Sequence, residues 1–158
     1  MSVMDEPVIS FSAEPDVPLT ELFFKELTQP FPEEADIIAA EIQRRYGKAV
    51  DGVLFYGSCL RTQQMTDAVL DFYVLVRSYR VAYEKPILRW LNAFLPPNVF
   101  YLEIAHGLRT LRAKYAVIST KDFEQATTPH AVPAIIWARF CQPARLVYAR
   151  DSVIQERV

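Results

Sequence analysis

One short run near the middle of the chain, Ala68-Val-Leu-Asp-Phe-Tyr-Val-Leu-Val76, limits the fold more than any other segment. It is rich in β-branched and aromatic residues, and only Asp71 interrupts its apolar character. That is the pattern of a strand buried on both faces. A strand covered on both sides belongs inside a sheet with other elements packed above and below. The chain has the material for this, since 158 residues with 51% apolar and 23% charged side chains supply one folded domain with a core.

The flanking sequence supplies the other layers. Ala35, Ile38, Ala39, Ile42 and Tyr46 recur at helical spacing, with Glu33, Glu34 and Asp36 in the first turn and Gly47 after the last. Gly52 to Tyr56 reads as a short strand, Asn98 to Ile104 alternates as another, and Lys114 to Ser119 makes a fourth. Gly52 and Gly107 read as turns. Helices are expected from Ile87 to Phe94, from a cap at Thr120 through Gln125, and from Val132 to Phe140. Residues 145–149 read as extended, and Asp151 opens a last helix of about two turns. Residues 1–32 hold five of the eleven prolines and one apolar patch, Leu19 to Leu27, so they read as an arm with a short helix. The expected class is α/β (α+β), a mixed β-sheet flanked by helices, with the domain at 33–150 and the start of a C-terminal helix at 151–158.

The run's one charged residue carries the chemistry. A carboxylate inside an apolar strand is costly unless it is paired, hydrogen-bonded or metal-bound. Thirteen residues before it, Tyr56-Gly57-Ser58 ends a strand in a small-residue turn that exposes backbone amides, where a phosphate can approach closely. Together they suggest Mg²⁺ on Asp71 bridging phosphate oxygens held at Gly57 and Ser58. Arg61 is either a phosphate ligand or a solvated loop arginine. Glu103 alternates with Val99 and Tyr101, so it is either a second carboxylate for the metal or a solvated edge residue. Cys59 and Cys141 lack the partners of a disulfide framework, a metal cluster or a cysteine nucleophile. With 19 acidic against 17 basic residues, no nucleic-acid partner is expected.

The order strand, Gly-Ser, Arg61, loop, Asp71 on a strand resembles the nucleotidyltransferase superfamily, with Tyr73 at the second acidic position. Tyr56-Gly-Ser58, Leu70-Asp-Phe-Tyr-Val-Leu-Val76, Asn98-Val-Phe-Tyr101, Lys114-Tyr-Ala-Val-Ile-Ser119 and Trp137-Ala-Arg-Phe-Cys-Gln-Pro143 are similar to blocks of the mitochondrial translocator assembly and maintenance family. The chain departs from that family at Cys59 and Ala116, which replace glycines, at Leu102, where asparagine is common, and at Gln142, where lysine is common.

The resemblance implies a phosphatidate cytidylyltransferase of bacterial type in phospholipid and cardiolipin biosynthesis. It would convert CTP and phosphatidic acid to CDP-diacylglycerol and pyrophosphate with Mg²⁺. By the same resemblance Tyr56, Gly57, Ser58 and Arg61 bind the nucleotide, Asp71 and Lys114 are catalytic and Asp71 holds the metal, with Glu103, from its alternation on the strand, the candidate second metal ligand. The implied location is the bacterial cytoplasm, peripheral to the inner face of an anionic membrane. Family members extend into a helical second domain, so a chain ending at Val158 reads as the catalytic part of a longer enzyme. Two alternatives stay open: transfer of a nucleotide to a protein, RNA or small molecule, and a catalytically lapsed nucleotide-binding module.

Overall fold

The apolar run becomes β2 (Val69–Val76), the middle strand of a five-stranded sheet. The computed structural model describes residues 18–62, 68–87, 98–128 and 142–158. β2 pairs antiparallel with β1 (Val50–Tyr56) and parallel with β4 (Arg109–Ser119). The edges are β3 (Asn98–His106), antiparallel to β4, and β5 (Ala144–Ala149), antiparallel to β1. The sheet is mixed and flanked by helices, as the sequence predicts.

Alternation along the strands decides which helix lies on which face. Val53, Phe55, Phe72, Val74 and Val117 share a core with Ala35, Ile38, Ala39 and Ile42 of α2 (Glu33–Tyr46). Leu54, Tyr56, Tyr73, Leu75 and Ile118 point the other way. They meet Phe123 of α5 (Thr120–Ala126) and Leu27 of α1 (Leu19–Leu27), and Ile154 of α6 (Ser152–Arg157) reaches this side beside Leu75. Ile38, Ile42, Phe55 and Phe72 are fully buried, and each contributes about 1.5–3 kcal/mol through removal from water.

Two short α-helices, α3 (Ser58–Thr62) and α4 (Tyr79–Ala82), and a 3₁₀ turn at Gly47–Ala49 complete the described elements. The connection from α1 to α2 is held to the β5 edge by Arg145. Its guanidinium donates to Glu26 Oε1 at 2.5 Å, to Gln29 Oε1 at 2.9 Å and to the Ala144 carbonyl at 2.9 Å. The predicted arm helix is thereby tied to the sheet.

Several boundaries differ from the sequence reading. β1 begins at Val50, because Asp51 is buried inside it and accepts a hydrogen bond from Thr120 Oγ1 at 2.8 Å. Gly52 therefore lies within a strand, against the Tyr148 carbonyl, and not in a turn. With Thr120 occupied by Asp51, the cap of α5 is Ser119, whose hydroxyl accepts from the Asp122 amide at 3.1 Å. β4 begins at Arg109 and not at Lys114: Leu111 and Ala113 are buried while Arg112 and Lys114 alternate with them on the other face. Gly107 does form the β3 to β4 turn, with φ +60. Residues 1–17, the helix expected through Phe94 from Leu88 on, and the one expected from Val132 to Phe140 lie outside the described residues.

Candidate functional site

The site grows from strand register. Tyr56 at the end of β1 pairs with Asp71 on β2, Asp71 pairs with Lys114 on β4, and Lys114 pairs with Tyr101 on β3. Directly paired residues project from the same face of a sheet. One row therefore carries a tyrosine, a carboxylate, an ammonium and a second tyrosine.

Gly57 follows Tyr56 with φ +101, a conformation L side chains rarely adopt. A Cβ there would lie 3.2 Å from Asp71 Oδ2. The glycine thus permits the turn and leaves room at the carboxylate. Asp71 is half-buried, Lys114 and Ser58 are exposed, and Gly57 is buried. Ser58 opens α3, which is only five residues long, and its carbonyl accepts from Thr62 Oγ1 at 3.0 Å. Arg61 stands exposed on the same short helix.

Glu103 shares the face of Asp71 but does not stand beside it. It pairs with Arg112, and β4, carrying Arg112 and Lys114, separates the two carboxylates. The Glu103 carboxylate instead accepts from Tyr101 Oη at 2.9 Å and lies 3.5 Å from Arg112 Nε. The expectation of an Asp71 and Glu103 pair is corrected accordingly. Tyr73, at the second acidic position, is fully buried and stacks on Tyr56 with ring centroids 5.0 Å apart.

Among the described residues no group of three or more His, Cys, Asp and Glu side chains is placed to hold a metal ion. A magnesium ion that arrives on a triphosphate needs only one or two carboxylates, with phosphate oxygens and water completing its shell. Asp71, beside a backbone with no side chain in the way, fits that requirement.

Cys59, next to the turn, is buried, and its Sγ donates to the Val69 carbonyl at 3.7 Å. Burial first, and the Asp71 charge second, push its thiol up, which holds it protonated and unreactive. A cavity of about 350 Å³ lined by Phe23, Phe24, Leu27, Leu54 and Phe123 opens on the same sheet face, under α1 and not over Asp71. The block at Trp137 to Cys141 lies outside the described residues.

Structure thus brings together Tyr56, Gly57, Asp71 and Lys114, sets Ser58 and Arg61 on the adjoining turn, and leaves Glu103 apart. It adds Tyr101. That residue's alternation with Glu103 is legible in sequence, but its lateral contact with Lys114 depends on strand order. A scan against protein-family models finds no match to the chain, and a comparison with curated proteins finds none that matches.

Proposed function

We propose that the chain is a nucleotidyltransferase that joins CTP and phosphatidic acid to give CDP-diacylglycerol and pyrophosphate. One observation carries the reading: Gly57, Asp71 and Lys114 meet at the rim of one sheet face, with a glycine where any side chain would press on the carboxylate. A close backbone, a carboxylate and an ammonium are the groups that a metal-bound triphosphate requires. The family resemblance of the surrounding blocks supplies the substrate pair.

In this reading the Gly57 and Ser58 turn grips the triphosphate and Lys114 meets the phosphate oxygens as a point charge. Asp71 holds Mg²⁺, which neutralises charge on the phosphates when bound. A phosphatidate oxygen attacks the α-phosphorus, the new P–O bond forms as the bond to the β-phosphate oxygen breaks, and pyrophosphate leaves. No covalent enzyme intermediate is required, so positioning and electrostatics are the protein's contribution. The lipid substrate implies peripheral contact with an anionic membrane on the cytoplasmic side of a bacterial cell. No described helix is long and apolar enough to cross a bilayer.

A second reading, a module that binds nucleotide without turnover, is favoured by buried Tyr73 and by the engagement of Glu103 with Arg112. Labelled CTP, Mg²⁺ and vesicles containing phosphatidic acid separate the two. The expected result is labelled CDP-diacylglycerol, falling roughly a hundredfold or more in Asp71→Asn. CTP binding without product supports the second reading, and absence of both product and binding overturns each.

A further inference from the structure

We infer that Tyr101 is the platform on which the base of the bound nucleoside triphosphate stacks, so that the nucleotide lies across the open face of β4 and β3. The inference rests on the nucleotidyltransferase reading and extends it to a residue outside the Gly-Ser turn. Tyr101 sits two strands from Asp71 in the same row, about 10 Å away, with Lys114 between them. The order carboxylate, ammonium, aromatic ring matches the order of a nucleotide read from its metal-bound phosphates through the ribose to the base. Asp71 and Gly57 mark one end, and Tyr101 provides the other.

The ring is both available and held. Tyr101 is 52% exposed. Its hydroxyl donates to Glu103 Oε1 at 2.9 Å, and Glu103 in turn lies 3.5 Å from Arg112. That chain of contacts fixes the orientation of an exposed ring, which lowers the entropy cost of stacking a ligand on it. The hydrogen bond to Glu103 also raises the phenol's pKa, so the ring stays neutral. Base-on-ring stacking tolerates every base. Tyr101 therefore supplies affinity for a nucleotide over bare phosphate without choosing cytosine.

The test measures equilibrium binding, in the presence of Mg²⁺, of CTP, UTP and inorganic tripolyphosphate to the whole chain. Tyr101→Leu keeps a strand-compatible apolar residue at an exposed position. It is expected to weaken CTP and UTP about five- to a hundredfold while leaving tripolyphosphate unchanged. Tyr101→Phe, which keeps the ring, should retain most of the affinity. Unchanged CTP binding in Tyr101→Leu overturns the stacking role and leaves the nucleotidyltransferase reading standing. Equal weakening of CTP and tripolyphosphate overturns it as well, since the loss then follows the phosphates. A wild-type protein that binds neither removes the parent reading and this inference with it.

Discussion

Gly57→Ala is the substitution whose cost can be worked most directly from geometry. The residue has φ +101, so alanine there carries backbone strain of about 1–3 kcal/mol. Its new Cβ would also stand 3.2 Å from Asp71 Oδ2, close enough that the carboxylate must move by a few tenths of an ångström. A total near 2 kcal/mol, divided by a urea slope of about 2 kcal/mol/M, lowers the unfolding midpoint by about 1 M. The two contributions separate in an Asp71→Ala background, where the contact disappears and only the backbone strain remains. Gly57→Ala should therefore cost measurably less there. Urea titration followed by fluorescence reads all four proteins. A Gly57→Ala midpoint equal to wild type refutes the strain argument, and an identical cost in both backgrounds refutes the contact with Asp71.

Asp51→Ala removes a carboxylate that is buried within β1 and paired with Thr120, Arg150 and Arg77. Because both arginines keep access to water, the loss is expected near 3 kcal/mol, below that of a sealed ion pair, by urea titration. Arg145→Met should lower amide protection in α1 far more than in β2 under hydrogen exchange, since Glu26 and Gln29 lose their anchor; equal protection in α1 counts against the tether. Hydrogen bonds from Arg44 and Arg45 lower the Glu41 carboxyl from an ordinary 4.5 to about 2. Its stabilising contribution is complete above about pH 4.5 and lost as pH falls toward 2, so Glu41→Gln should flatten that part of the acid-unfolding curve.

What the sequence made legible is what local pattern encodes. The helical spacing of Ala35, Ile38, Ala39 and Ile42 placed α2 residue by residue, and the apolar run around Phe72 and Val74 located the middle strand. Gly57 and Asp71 were readable as neighbours because an antiparallel pair joins them over a short stretch of chain. Asp51 was not, because its partners Thr120 and Arg150 come from distant elements. Glu103 failed for a related reason. Alternation gives a residue's face, but only strand order reveals that β4 comes between it and Asp71. The same order brought Tyr101 next to Lys114.

The parallel pairing of β2 with β4 also sets a timetable. β3 and β4 close on each other through a two-residue turn, and β1 and β2 lie twelve residues apart in sequence, so both pairs are local enough to form early. The β2 to β4 pairing joins residues more than forty positions apart, such as Asp71 and Lys114, a non-local closure of the kind that slows folding. On sequence separation alone, Gly57 and Asp71 are expected to come together before Lys114 joins them. A substitution that slows β2 docking on β4 is then expected to delay the meeting of Asp71 with Lys114 while leaving their final register intact.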